Sequence, residues 1–158
     1  MYRLIYVIFF IGLLSCEKER QTRNPNLGEV HFTYTINLSL PLYNSLKTPM
    51  NTVFVPYGGI KGFFVTCYSD GGYRAWEAAC PNHNLQECHN RLFGIRAVED
   101  ENSYEETGHS YTFAKCSCGK TVYNLISGAP IAIGQIAKPY PLLNYNVSVA
   151  GNILTISN

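Results

Sequence analysis

From Val30 the chain alternates without interruption: Val30, Phe32, Tyr34, Ile36 and Leu38 fall on one side, and His31, Thr33, Thr35 and Asn37 on the other. A period of two is that of a strand with one buried and one solvated face. Shorter apolar or β-branched segments continue the theme at Thr52–Val55, Gly62–Ser69, Tyr73–Ala78, Leu92–Val98, Tyr111–Lys115, Asn146–Val149 and Ile153–Ile156. Asp70-Gly71-Gly72 and Ala150-Gly151-Asn152 carry the residues of tight hairpin turns. No segment shows a sustained helical period with caps, and Pro41–Leu46 suffices for one turn at most. The 12 Tyr, 8 Phe and 1 Trp suit pleated, half-buried surfaces. These patterns predict an all-β chain with antiparallel sheets.

The N-terminus follows a different logic. Arg3 supplies a positive charge, and Leu4 to Leu14 is an apolar run suited to a signal-peptide core but too short to span a bilayer. Charged Glu17-Lys18-Glu19-Arg20 follows directly, which argues against an uncleaved membrane helix. Leu13-Leu14-Ser15-Cys16 resembles the lipobox of bacterial lipoproteins: apolar residues, a small one, then cysteine. That resemblance implies cleavage before Cys16, a diacylglyceryl group and acyl chains such as palmitate on that residue, and a membrane as partner. Two or more chains anchor firmly, since each buried CH₂ contributes about 0.8 kcal/mol. The expected organisation is a signal peptide over 1–15, the lipidated Cys16 and a polar tether over 16–28, and one β domain over 29–158. The expected location is the bacterial cell envelope, periplasmic or outer-surface.

Cleavage would leave 143 residues, the size of one ordinary domain. Its basic and acidic residues balance, so a basic face for nucleic acid is not expected. Glu99–Glu106 holds five acidic residues and no basic one, as a solvated loop tip does. No Ser-His-Asp set, carboxylate pair or phosphate-cradling loop is legible. Five cysteines remain after Cys16: Cys67, Cys80, Cys88, Cys116 and Cys118. Outside the cytoplasm thiols oxidise unless a metal holds them. Five is odd, and Cys67, within Gly62-Phe63-Phe64-Val65-Thr66-Cys67-Tyr68, reads as the buried, inert one.

The other four lie in two loops. The first reads Ala79-Cys80-Pro81-Asn82-His83-Asn84, with Cys88-His89 beyond it. The second reads Lys115-Cys116-Ser117-Cys118-Gly119-Lys120, then Thr121-Val122-Tyr123-Asn124 and Ser127-Gly128. Together with the hairpin leading into Trp76 and the later run Lys138-Pro139-Tyr140-Pro141-Leu142, this order over roughly 50–158 resembles the Rieske domain. That family holds a [2Fe–2S] cluster between a C-x-H loop and a C-x-x-H loop, and two histidines complete one of its irons. The resemblance implies a Rieske-like antiparallel β-sandwich with the two loops adjacent at one end. It makes Cys80 and Cys116 the cysteine ligands, with Thr121 and Tyr123 as hydroxyls that tune the cluster through its sulfurs. An aromatic at 123 would fill the core in either case.

The histidine positions depart from the pattern. They fall on Asn82, with His83 one residue late, and on Gly119, which has no ligand atom. His31 precedes the matched region, and His109 lies seven residues before Cys116 along an extended segment. Cys80, His83, Cys116 and Cys118 would have the donors for zinc or an unusual iron–sulfur centre. The family's practice of stapling its loops implies instead a disulfide between Cys88 and Cys118; without iron, Cys80 and Cys116 could oxidise as well. The expected function is a lipid-anchored, disulfide-stapled binding or structural module of the envelope, cluster-poor or cluster-free. The alternative is a one-electron carrier with atypical [2Fe–2S] ligands and a redox partner in the envelope.

Overall fold

The computed structural model describes residues 23–97, 108–132, 134 and 136–158. Cys16, the signal peptide and the acidic stretch Glu99–Glu106 lie outside the described residues. The strands are β1 (Thr33–Asn37), β2 (Asn51–Val55), β3 (Phe63–Ser69), β4 (Gly72–Glu77), β5 (Phe93–Ile95), β6 (Phe113–Lys115), β7 (Val122–Asn124), β8 (Pro130–Ala132), β9 (Asn144–Ala150) and β10 (Ile153–Ser157). A 3-10 helix over Pro41–Lys47 joins β1 to β2, longer than the single turn expected there, with Tyr43 and Leu46 buried beneath it. The protein is all-β, in two antiparallel sheets of order β1-β10-β9-β4-β3-β2 and β5-β6-β7-β8.

The alternation read from the sequence governs the packing. On β1, Ile36 is buried and Tyr34 half-buried, while Thr33 and Thr35 face water. In β3 the apolar run is continuous because both faces are covered. Phe63 and Val65 enter one core with Val53, Val55, Ala75, Leu154 and Ile156. Phe64 enters a second core with Trp76, Leu92, Ala114, Tyr123 and Leu125. The period of two thus deals successive side chains to two cores. Trp76 ties the second core across the sheets: its Nε1–H donates to the Leu125 carbonyl at 2.6 Å. Its ring also fills the space a Cβ on Gly128 would need, and the positive φ of 73° at Gly128 suits glycine on its own account.

The small sheet is an insertion. The chain leaves the large sheet after Glu77 and re-enters at Asn144, where Trp76 faces Asn144 and the Glu77 N–H donates to the Leu143 carbonyl at 2.9 Å. The described residues between them belong to the loops and the small sheet. Glu77, wholly buried at this junction, accepts four hydrogen bonds. Oε2 takes Ile60 N–H at 2.7 Å and Tyr145 O–H at 2.5 Å, and Oε1 takes Lys61 N–H at 2.9 Å and Ala79 N–H at 2.7 Å. Burial and the neighbouring carboxylate push the Tyr145 phenol well up, so it stays a donor.

The polar segment expected as a tether is docked from residue 23 onward. Asn24 and Leu27 are buried. The Asn24 and Asn26 amides donate to the Pro81 carbonyl at 3.0 and 2.8 Å, while Asn24 Oδ1 accepts from the N–H groups of Asn26 and Leu27. Arg23 clamps Glu29 at 3.0 Å and donates to the Asn144 carbonyl at 2.7 Å. Composition read as free chain because a buried asparagine looks polar until its partners are known.

Candidate metal centre

Two loops carry the cysteines to one place. The first leaves β4 at Ala78 and closes where Leu92 N–H meets the Ala78 carbonyl at 2.7 Å. Inside it, Asn84 Oδ1 caps the N–H groups of Gln86 and Glu87, setting the turn that delivers Cys88. Lys61 donates to the carbonyls of Cys88 and Asn90 across the loop mouth. The second loop is the β6–β7 connection, closed by Cys116 N–H to Thr121 O and Lys120 N–H to Cys116 O, each 2.9 Å. Lys120 takes a left-handed φ of 56° to complete the turn.

Cys88 and Cys118 form a disulfide, the pairing that the resemblance implied. The bond removes Cys118 from the expected set of metal donors. Cys67, Cys80 and Cys116 are free and buried. Burial pushes the Cys67 thiol up, and its Sγ donates to the Ser69 carbonyl at 3.2 Å, remote from the loops.

Cys80 and Cys116 are 3 % and 1 % exposed, and His83 stands against both. Its Nδ1 lies 3.2 Å from Cys80 Sγ and 3.6 Å from Cys116 Sγ, and the three atoms lie within 4.8 Å of one another. Cys116 is drawn down to about 6, first by the hydrogen bond from Cys80, helped by backbone N–H groups of Gly119 and Cys118 and by His83. Cys80 is pushed well up by the same hydrogen bond and by burial. The Tyr123 phenol also hydrogen-bonds Cys80 and Thr121, and burial, with the sulfur pair beside it, raises it strongly. Of the two hydroxyls, that of Tyr123 meets Cys80, and Thr121 meets Tyr123.

Asn82 holds the site together in a way its sequence position concealed. Its Nδ2 donates to the Tyr123 hydroxyl, and its Oδ1 accepts Tyr140 N–H at 2.7 Å. The first loop, β7 and the Lys138-Pro139-Tyr140-Pro141 run thus meet at one amide. A buried tyrosine with an amide 41 residues away left no local sequence signal. His89, His109 and His31 are exposed, and His109 Nδ1 lies 3.1 Å from the Thr52 carbonyl instead.

This group has the arrangement to hold a metal ion. It does not fit the family's [2Fe–2S] cluster. Among the described residues the centre offers two sulfurs and one imidazole, one donor short of four. In a Rieske centre the histidines sit on the iron opposite the cysteine-bound one. Two irons and their bridging sulfides then separate imidazole from thiolate, whereas His83 lies within hydrogen-bond reach of both sulfurs. A Cβ on Gly119 would stand 2.7 Å from His83 Cε1 and 3.2 Å from Ile136 Cδ1, so that flank is closed. No family model matches the chain, and no curated protein matches it.

Proposed function

We propose that the chain is a lipid-anchored module of the bacterial cell envelope. Its Rieske-like β domain works without a [2Fe–2S] cluster, as a disulfide-stapled binding or structural unit. The observation that carries this reading is the single imidazole spanning both thiols at 3.2 and 3.6 Å, a spacing that leaves no room for a two-iron core between them. The Cys88–Cys118 bond supports it, since a cross-link between the loops holds them together without iron. A Rieske-type one-electron carrier would need a second imidazole, and the two positions where the resemblance puts one hold Asn82, with both ends of its amide engaged, and Gly119.

Within this reading Cys16 fixes the domain at a membrane, and the docked stretch from Arg23 to Gly28 keeps it close to that surface. The partner is an envelope protein. The test is optical and analytical. Full-length protein purified anaerobically in detergent from a bacterial envelope should be colourless, without stoichiometric iron or acid-labile sulfide. A reddish-brown preparation with about two irons per chain would overturn the reading.

A further inference from the structure

Three donors of the soft, nitrogen–sulfur kind converge at the loop end of the domain, and their spacing is that of ligands around one ion. Zinc takes thiolate sulfur at about 2.3 Å and imidazole nitrogen at about 2.0–2.1 Å in tetrahedral geometry. Those bond lengths and a tetrahedral angle put sulfur and nitrogen about 3.5 Å apart, and two sulfurs about 3.8 Å apart. The observed Sγ···Nδ1 separations are 3.2 and 3.6 Å, and all three atoms fall within 4.8 Å. We infer that Cys80, His83 and Cys116 form a mononuclear zinc site with three protein ligands, created where the cluster-type loops meet. The inference rests on the cluster-free reading above, because a two-iron core and a single ion would compete for the same sulfurs.

The surroundings suit such an ion. Tyr123 hydrogen-bonds Cys80, and backbone N–H groups of Cys118 and Gly119 hydrogen-bond Cys116, so both sulfurs have outer-shell partners of the sort that orient metal ligands. His83 ligates through Nδ1, which already faces the sulfurs. Gly119 lies against the ring and restricts its turning. Three protein donors leave the fourth tetrahedral position to water or another small ligand, the pattern of zinc sites that are open to exchange. The neighbouring disulfide keeps Cys118 from completing the shell, since its sulfur is bonded to Cys88.

The probes are Zn2+ and Co2+, added to the full-length chain in detergent with its disulfide intact. The wild-type protein should bind one zinc per chain. Chelated and reloaded with Co2+, it should show the near-ultraviolet thiolate-to-cobalt band and the visible ligand-field bands of a tetrahedral centre. Cys116→Ser and His83→Ala should each weaken zinc binding by more than about 100-fold, beyond the 10–100-fold typical of losing an outer-shell partner. His83→Gln, close in size, guards against a folding artefact and should weaken binding as His83→Ala does; Cys67→Ser should leave binding unchanged. A folded wild-type chain that takes up neither ion overturns the zinc site and leaves the cluster-free reading intact. Zinc retained at full affinity by Cys116→Ser or His83→Ala also overturns it. Iron with acid-labile sulfide in place of zinc would overturn both.

Discussion

Replacing Glu77 by Gln should cost the fold about 3 kcal/mol. The carboxylate is wholly buried and meets four donors, two on each oxygen. An ionised carboxylate accepts on every side, whereas an amide must turn an NH₂ toward one of the two donor pairs. Facing Lys61 and Ala79, it would orphan two backbone N–H groups. Facing Ile60 and Tyr145 it orphans only Ile60, because the Tyr145 hydroxyl can rotate and accept, so the variant adopts that orientation. One buried unsatisfied donor costs about 1–3 kcal/mol, and each remaining bond falls from roughly 1.5–3 to roughly 0.5–1.5 kcal/mol on losing the charge. Relief from burying a charge offsets part of this. In a domain of this size 1 kcal/mol moves Tm by about 4 °C, so the melting temperature should drop by about 10 °C. Urea unfolding followed through Trp76 fluorescence, with the disulfide intact, measures the difference directly. Tyr145→Phe removes one donor and spares the carboxylate, so it should cost less, and the double variant should fall short of the sum because the two residues share a bond. A loss below about 1 kcal/mol for Glu77→Gln would refute the argument, since the four-donor geometry could not then be what holds the junction.

The staple between the loops closes a segment with a sequence separation of 30, for which chain entropy gives about 3.5 kcal/mol, so Cys88→Ser with Cys118→Ser should lose that much in denaturant unfolding. Glu29 is held at about 2 by hydrogen bonds from Arg23 and Asn158, below its ordinary 4.5. Its contribution is therefore full above pH 4.5 and is lost as pH falls toward 2, so the stability gap between wild type and Glu29→Gln should close across that window in acid titrations followed by circular dichroism. Cys16→Ser should abolish fatty-acid labelling in growing cells, and a labelled variant would contradict the lipobox resemblance. Gly119→His should lower stability without giving a coloured protein, as a side chain there meets His83 within 2.7 Å; a brown Gly119→His preparation would show that the ring can move aside.

The strands legible in the sequence were those with enough residues to show a period. Thr33–Asn37, Phe63–Ser69, Asn144–Ala150 and Ile153–Ser157 all fall inside or within two residues of the stretches that alternation or a continuous apolar run marked. The strands Val122–Asn124 and Pro130–Ala132 carry three residues each, too few for alternation to register, and the second opens on proline. They exist because the small sheet supplies partners: Ala114 faces Tyr123, and Tyr123 faces Pro130. Of the expected Leu92–Val98, Val98 lies outside the described residues and the strand runs over Phe93–Ile95, where β6 gives it something to pair with. The sulfur residues were legible because cysteine is rare and its spacing informative. Asn82 and Glu77 were not, because their meaning comes from Tyr123, Tyr140, Tyr145 and the backbone at 60–61, all distant in sequence. A charge inside Trp76-Glu77-Ala78-Ala79 was the one local hint that something buried must satisfy it.

The two departures at the histidine positions turn out to be a single fact. In the sequence, a glycine at 119 and a histidine one place late at 83 look like independent losses. In the fold the loops face each other, and a side chain on residue 119 would occupy the ground where the His83 ring stands. Glycine at 119 is what admits the shifted ring, and the shifted ring is what brings Nδ1 against both sulfurs. Asn82, in the register a ligand would need, uses its amide to bind Tyr123 and Tyr140 instead, which pins the loop so that the next residue turns inward. Where the resemblance implies a four-ligand bridge over two irons, three donors stand around one point. Building such a bridge here would require changing Asn82, His83 and Gly119 together, since each change alone leaves the other two holding the loops in their present register.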